Sequence, residues 1–249
     1  MESDDEPTRP GMSGIRVPIV VSHDQWLNAR LQLLGEEKHV MRLRDELSLK
    51  RRALPWEEVE KSYVFAGANG RESLAQLFAG HSQLIVYHFM FAPEWQAGCK
   101  ACSFWADSFN GSDVHLARRD VSFVAISRAP LYKLLAYRKR MGWQFKWVSS
   151  GNSDFNYDYG VSFHREDIES GRTNWNYRPQ SPENSDVTGI SVFFKNAHGR
   201  LFHSYSCFQR GIDMMNAAYQ YLDLTPKGRD ELSDRPTMDW VRRRDEYAG

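Results

Sequence analysis

The residues best suited to chemistry are two cysteines separated by two residues, in the segment Cys99-Lys-Ala-Cys102. At a helix start, unpaired N–H groups and the positive end of the helix dipole stabilise a thiolate. A residue three positions further on returns to the same helix face. This spacing predicts Cys99 as the attacking thiol and Cys102 as the resolving thiol. Lys100 adds positive charge beside Cys99, and Trp95, just upstream, is a candidate to shield the pair.

The cysteines also allow two other interpretations, a structural role at a helix start and a zinc site. Zinc requires four ligands, and the additional candidates, Cys207 and histidines such as His88 and His115, lie at no finger-like spacing. We therefore expect no metal and no bound cofactor, and we expect Cys207 to be a single thiol outside any disulfide. His88 alternates with apolar neighbours in a predicted strand, which indicates a hydrogen-bonded core histidine.

The composition of the 249-residue chain excludes several classes of partner. Lysine plus arginine and aspartate plus glutamate number 32 each, so the net charge is zero, which argues against a general nucleic-acid binder. No apolar run approaches the ~18 residues that a membrane span requires. The acidic start of the chain lacks the basic and apolar regions of a signal peptide. We therefore expect a cytoplasmic protein with no membrane partner, in which three cysteines are not a structural disulfide set.

The first quarter of the chain predicts a helical arm. Residues 1–14 are polar and contain Pro and Gly, which predicts a disordered tail. Within residues 15–62, Ser22 and Gln25 fit a capping box at a helix start. The helix that follows carries apolar residues at gaps of three, four or seven, which makes one stripe. The members of this stripe are Trp26, Ala29, Leu33, Val40, Leu43 and Leu47. A stripe of this length is typical of a contact surface. It packs either on the sheet of the same chain or on a second copy of the chain, and of the two we favour a homodimer.

From residue 63 the pattern alternates between strands and helices. Strand–helix–strand order implies right-handed parallel crossovers. A hairpin with glycine in its turn and a closing helix follow. The predicted elements are, in order, strand 84–90, helix 99–109, strand 121–126, helix 131–141, strand 144–148, hairpin 190–194 with 200–205, and helix 211–222.

A parallel unit followed by an antiparallel hairpin and a helix is the thioredoxin-like order, and the two cysteines fall at its first strand-to-helix junction. The sequence thus predicts an α/β fold, a central mixed sheet flanked by helices, over residues 63–225. Residues 151–186 are polar and aromatic without periodicity, which predicts an insertion. Residues 226–249 form a charged tail, in which Trp240 and Val241 indicate docking onto the domain.

At the level of individual residues, the chain resembles an uncharacterised thioredoxin-like family described as predicted dithiol-disulfide oxidoreductases. The resemblance runs from about residue 17 to the C-terminus and implies both the fold and a dithiol activity. The segments that carry it are RALPW at 52–56, YHFMF at 87–91, GCKACSFWAD at 98–107 and YLDLTPKGR at 221–229.

The chain departs from ordinary thioredoxins at two positions. Gly98 precedes the first cysteine in place of an aromatic residue, and Gly189 takes the place of the usual cis-proline that faces the dithiol. A cis bond before a non-proline residue costs ~2.5–4 kcal/mol, so we expect trans geometry at Gly189 and an altered groove for peptide substrates. The likeness to peroxiredoxins is one of architecture, because Ala97 and Lys100 follow Pro93 where their pattern requires threonine and cysteine.

Three functions compete at this stage. The first is a thiol–disulfide oxidoreductase, in which Cys99 attacks a disulfide of a protein or small molecule, Cys102 resolves the mixed disulfide, and an external thiol reductant restores the pair. The second is a binding module of thioredoxin-like fold whose cysteines are vestigial, since a fold alone does not determine an activity. The third is a thiol peroxidase using Cys99.

Overall fold

The computed structural model describes residues 18–231 and 234–247, so the predicted disordered tail lies outside the described residues. The described residues divide into two compact units: residues 18–55 with 222–231 and 234–239, and residues 56–221 with 240–247. The helices are α1 His23–Arg52, α2 Leu74–Leu77, α3 Lys100–Phe109, α4 Asp113–Ala117, α5 Leu131–Met141, α6 Phe155–Asp158, α7 Arg165–Glu169 and α8 Ala217–Leu222, with 3₁₀ turns at Gln209–Met215 and Arg244–Glu246. The strands are β1 Glu57–Glu58, β2 Val64–Gly67, β3 Gly70–Ser73, β4 Gln83–His88, β5 Val121–Ser127, β6 Lys146–Ser149, β7 Asn174–Trp175, β8 Arg178–Pro179, β9 Gly189–Lys195 and β10 Leu201–Phe208.

Helix α1 confirms the predicted capping box. The Gln25 N–H donates to Ser22 Oγ at 3.3 Å, and the Ser22 N–H donates to Gln25 Oε1 at 3.1 Å. The last turn carries Lys50, Arg51 and Arg52, which complement the negative end of the helix dipole. These end contacts and the regular backbone hydrogen bonds sustain a 30-residue helix although Gly35 lies inside it.

The apolar stripe of α1 has no partner within the described chain. The helix is described over its whole length, and none of its residues is buried. Trp26, Leu33 and Val40 are 54%, 50% and 53% exposed. An apolar face of this length in water is typical of a contact surface, and its partner stays a prediction.

The main sheet confirms the predicted thioredoxin-like α/β fold. Its eight strands run in the order β1-β10-β9-β4-β5-β6-β2-β3. Strands β4, β5 and β6 are mutually parallel, β9 is antiparallel to β4, and β10 is antiparallel to β9. Helices α3 and α5 make the two parallel crossovers. The predicted hairpin and the three parallel strands are therefore confirmed.

Strand β4 lies in the middle of the sheet, between β9 and β5, and its side chains are buried on both faces. On one face Leu84 and Val86 belong to a core cluster with Val124, Ile126 and Phe193. A separate aromatic cluster packs over the other face. Its members include Tyr87, Phe89, Phe109, Tyr137, Trp143, Phe145 and Trp147. The aromatic residues that alternate along 143–147 thus pack in this cluster, and two of them, Trp143 and Trp147, contact Phe89 in the loop that leaves β4.

Two segments outside the sheet lie against the domain. In the insertion, residues 161–163 pair with residues 185–187, and β7 and β8 form a small hairpin. At the C-terminal end, the Trp240 ring packs edge-on to Phe104 with centroids 5.5 Å apart, and Val241 is fully buried. We call residues 240–247 the C-terminal strap. In the described part of the chain, no helix has the length and apolarity to cross a bilayer.

The charges on α1 indicate how a second copy would pair with it. Residues 23–37 carry three acidic residues and one arginine, whereas residues 38–52 carry six basic residues and two acidic ones. Antiparallel pairing of two copies would set the acidic half of each helix against the basic half of the other. We therefore expect the intact chain to sediment as a dimer at micromolar concentration.

The variants Leu33→Asp and Val40→Asp place a carboxylate in the stripe, so each should shift sedimentation to the monomer. The matched control Asn28→Asp adds the same charge outside the stripe and should leave the dimer intact. A wild-type chain that sediments as a monomer would show that the dimer prediction is wrong.

Candidate functional site

Cys99 lies at the start of α3, as the sequence predicts. It occupies the N-cap position with φ −53° and ψ 132°, and α3 begins at Lys100. Its N–H donates to the Met90 carbonyl at 3.1 Å, and its carbonyl accepts from the Ser103 N–H at 3.0 Å. Because Met90 lies two residues beyond β4, the end of the central strand determines where the helix begins.

The two thiols differ in exposure. Cys99 is partly exposed, whereas Cys102 is 1% exposed. The Cys102 thiol hydrogen-bonds to the sulfur of Cys99. Cys99 is therefore the more accessible residue of the pair, and all three cysteines, Cys207 included, are outside any disulfide.

The surroundings favour a thiolate on Cys99. The hydrogen bond from the Cys102 thiol is the largest cause that lowers the pKa of Cys99, to about 6, and the N–H groups of Cys102 and Ala101 and the charge of Arg243 lower it further. Burial opposes this shift. The pKa of Cys102 moves in the opposite direction. Burial, and after it the neighbouring Cys99, raise it well above the ordinary value of a thiol. At neutral pH the pair therefore holds its negative charge on the exposed sulfur.

Arg243, in the C-terminal strap, is a site residue that the sequence analysis missed. Its Nη2 and Nε donate to the Gly98 carbonyl at 2.8 and 3.2 Å, and its Nη1 also pairs with Glu246 at 2.9 Å. Among positive charges, Arg243 has the largest effect on the pKa of Cys99, ahead of the adjacent Lys100 that the sequence suggested. The only sequence signal for it was the apolar pair Trp240–Val241, which indicated that this tail docks.

Hydroxyl groups hold the backbone of the dithiol turn. Ser103 Oγ donates to the Cys99 carbonyl at 2.8 Å and lies 2.9 Å from the Tyr137 hydroxyl. The Tyr87 hydroxyl donates to the Cys102 carbonyl at 3.1 Å. These bonds attach the first turn of α3 to β4 and α5.

Thr188 brings a second distant segment to the dithiol. Its hydroxyl donates to the His88 carbonyl at 3.0 Å and lies within hydrogen-bonding reach of the Cys102 thiol. Gly189, the position singled out from the sequence, follows directly and pairs with His88 and Phe208 across the sheet. The contact to the dithiol is thus made by the side chain before Gly189, and no peptide bond in the described part of the chain is cis.

Packing explains both glycines that depart from the thioredoxin pattern. A Cβ at Gly98 would lie 2.7 Å from Phe89 Cε1 and 2.9 Å from Tyr137 Cε1, so the aromatic cluster leaves no space for a side chain there. A Cβ at Gly189 would lie 2.5 Å from Phe208 Cδ1 and 3.0 Å from the Cys207 carbonyl oxygen. The ring of Phe208 therefore fills the space that a proline would need.

The remaining candidates lie apart from the sulfurs. Trp95 is half-buried in the loop before Cys99, where its carbonyl accepts from Lys133 Nζ at 2.9 Å; its shielding role stays a prediction.

His88 is a core histidine as predicted, with Nε2 2.8 Å from Ser191 Oγ and with its pKa lowered to about 3 by burial. Its Nδ1 has no hydrogen-bond partner among the described residues, so it is only half satisfied. Across residues 18–231 and 234–247, no cluster of His, Cys, Asp or Glu could hold a metal ion.

The profile of the family described as "Bacterial protein of unknown function (DUF899)" matches residues 15–247, and the chain belongs to that family. None of the curated proteins compared with the chain matches it.

Several solved structures are similar to it at low identity. Peroxidoxin BcpB from Mycobacterium tuberculosis is 13% identical with a TM-score of 0.41, over 68% of this chain and 97% of that one. The bacterioferritin comigratory protein of Xanthomonas campestris is 13% identical with a TM-score of 0.45, over 68% and 98%. A protein assigned as thiol:disulfide interchange protein DsbE from Chlorobium tepidum is 12% identical with a TM-score of 0.40, over 67% and 94%. These are distant similarities, and the fold assignment rests on the sheet topology given above.

Arg243→Gln should raise the pKa of Cys99, because it removes a positive charge beside the thiolate. At pH 5, below the pKa of about 6, the thiolate fraction follows the pKa directly, so the rate of alkylation of Cys99 should fall about threefold there. Arg243→Lys retains the charge and should keep most of the rate, and Arg178→Gln, on an exposed strand, is the control. Alkylation rates measured against pH test this, and an unchanged profile in Arg243→Gln would contradict it.

Gly98→Ala should destabilise the domain by about 1–3 kcal/mol, because the added methyl group overpacks the aromatic cluster. The matched control is Gly35→Ala, where a Cβ meets no atom within 4 Å and alanine is favoured by up to about 1 kcal/mol in a helix. Urea unfolding measures both changes. A Gly98→Ala variant as stable as the wild type would show that the loop before Cys99 adapts freely.

Proposed function

We propose that this member of the DUF899 family is a thiol–disulfide oxidoreductase whose reacting groups are Cys99 and Cys102. The observation that carries the proposal is the partly exposed Cys99 at a helix start, with a pKa lowered to about 6 and with the buried Cys102 thiol within hydrogen-bonding reach of it. A thiolate of this kind reacts at neutral pH, which an ordinary cysteine does only in small fraction.

The reaction begins when the Cys99 thiolate attacks one sulfur of a substrate disulfide. The substrate S–S bond breaks, one substrate thiolate leaves, and Cys99 becomes joined to the other substrate sulfur. Cys102 then attacks the Cys99 sulfur and releases the second substrate thiolate, leaving a Cys99–Cys102 disulfide. The substrate gains two electrons and two protons in total, and an external thiol reductant returns the same number to the protein.

The second step requires Cys102 to lose its proton. In the mixed disulfide Cys99 carries no charge, which removes one of the causes that raise the pKa of Cys102. The Met90 N–H lowers the pKa of Cys102 and remains in place, and the Thr188 hydroxyl can add to this effect by turning its proton from the His88 carbonyl to the Cys102 sulfur. The first step thus prepares the second, because the charge that disfavours a Cys102 thiolate disappears once Cys99 has reacted.

A binding module is the second candidate, and the geometry at Gly189 favours it. Phe208 fills the space where a proline would stand, so the surface beside the dithiol differs from that of ordinary thioredoxins. In that case the cysteines would take no part in turnover. The redox behaviour of the pair distinguishes this function from the first one.

The dithiol should cycle. Mild oxidant should convert Cys99 and Cys102 to an intramolecular disulfide that dithiothreitol reverses, because the two thiols lie within hydrogen-bonding reach of each other. Mass tagging of free thiols should then find two thiols fewer, in the wild type and in the control Cys207→Ser alike. Cys102→Ser should instead accumulate a mixed disulfide on Cys99.

Two outcomes would contradict the proposal. If both thiols stay available for tagging after oxidation, the binding module is favoured. If hydrogen peroxide oxidises Cys99 to a sulfenic acid far faster than any disulfide reacts, the peroxidase is favoured.

A further inference from the structure

The backbone edge beside the dithiol is already paired within the chain. Residues 185–187 lead directly to Thr188, which reaches Cys102. The Phe163 N–H donates to the Ser185 carbonyl and the Val187 N–H donates to the Val161 carbonyl, both at 2.9 Å. Residues 161–163 therefore run antiparallel to this edge and occupy the place of an added strand.

A buried ion pair anchors this self-pairing. Arg128, one residue beyond β5, donates from Nε at 2.7 Å to Asp186 Oδ1 and from Nη2 at 2.5 Å to Oδ2, and the side chain of Asp186 is 4% exposed. Ser162 Oγ donates to Asp186 Oδ1 at 2.7 Å, and Arg128 Nη1 donates to the Tyr157 hydroxyl at 2.9 Å. The carboxylate of Asp186 thus joins residues 185–187 to residues 161–163 and to Arg128 at the end of β5.

Apolar packing closes the same edge from outside. Val161, Val187 and Phe208 form a buried cluster against which Phe163 and Trp175 pack. Since the Phe208 ring also lies over Gly189, neither the edge nor the glycine beyond it presents an open face.

Backbone acceptors in the loop that precedes Cys99 are also occupied. The carbonyl of Gly98 accepts from Arg243, and the carbonyls of Pro93 and Trp95 accept from Lys133 Nζ at 2.8 and 2.9 Å. An extended polypeptide is bound chiefly by hydrogen bonds to an open backbone edge. In these segments the backbone groups that could bind a polypeptide already form hydrogen bonds within the chain.

We propose that the dithiol acts on small-molecule disulfides and that residues 161–163 exclude extended polypeptide from the edge beside Thr188. The inference rests on the proposed function and specifies its substrate class. A small disulfide needs only a line of approach to the Cys99 sulfur, which the partial exposure of Cys99 provides. A polypeptide needs backbone contacts that the chain has already used.

The test compares bis(2-hydroxyethyl) disulfide with insulin as oxidants of the reduced full-length chain. Each rate constant is divided by that of dithiothreitol with the same disulfide, which removes the intrinsic reactivity of the substrate. The normalised preference for the small disulfide should be about 100-fold, the order that a few missing binding contacts produce. Equal or faster normalised reaction with insulin would overturn the inference while leaving the proposed function in place. Failure of both disulfides to oxidise the pair would overturn the proposed function itself.

A double variant tests the role of the anchor. Arg128→Gln with Asp186→Asn removes both charges together, so that no lone charge stays buried, and it should speed the reaction with insulin about tenfold while the small disulfide reacts as before. The matched control is Arg165→Gln with Glu169→Gln, an ion pair on α7 of the same insertion whose side chains are 89% and 63% exposed. That control should alter neither rate. An unchanged insulin rate in a folded double variant would overturn the proposed role of residues 161–163.

Hydrogen exchange of the wild type tests the same inference without any substitution, so its result does not depend on whether a variant folds. The amides of Phe163 and Val187 should be protected from exchange, because both donate hydrogen bonds between residues 161–163 and residues 185–187. Rapid exchange at these two amides would show an open edge and overturn the inference.

Discussion

The start of α3 is the feature on which the site depends, because it sets the Cys102 thiol and free backbone N–H groups against the Cys99 sulfur. A helix leaves its first four N–H groups without partners inside the helix, and here Cys99 stands at the position that faces them. A negative sulfur is stabilised there by the same field that binds anions at helix starts. The sheet, the aromatic cluster and the strap all act on the site by holding this helix start in place.

The position of the helix start is set by close packing rather than by the dithiol. The Cys99 N–H is held by the Met90 carbonyl, and the loop between them passes so close to Phe89 and Tyr137 that only glycine fits at position 98. The same Tyr137 carries the hydroxyl that contacts Ser103. Apolar packing and polar positioning therefore share one residue, which links the stability of the loop to the geometry of the thiols.

Asymmetry between the two sulfurs follows from which segments surround each of them. The exposed sulfur faces N–H groups and the guanidinium of Arg243, all of which favour a negative charge. The inner sulfur lies among β4, Thr188 and the body of α3, where burial favours the protonated thiol. A pair arranged in this way holds one reactive thiolate and one thiol in reserve, which suits a two-step exchange better than two equal cysteines would.

Local rules of the chain determined the elements and the place of the dithiol. Spacing of apolar residues, the capping pair Ser22–Gln25 and the strand–helix alternation predicted the arm, the parallel unit and a cysteine pair at a helix start, because each of these depends on residues only a few positions apart. What only the tertiary structure decided is what reaches the sulfurs. Arg243 lies 144 positions beyond Cys99 and Thr188 lies 86 positions beyond Cys102, and residue spacing does not identify which residues meet across such separations. The same holds for Gly189, since its meaning depends on the ring of Phe208, which the antiparallel register of β9 and β10 sets beside it.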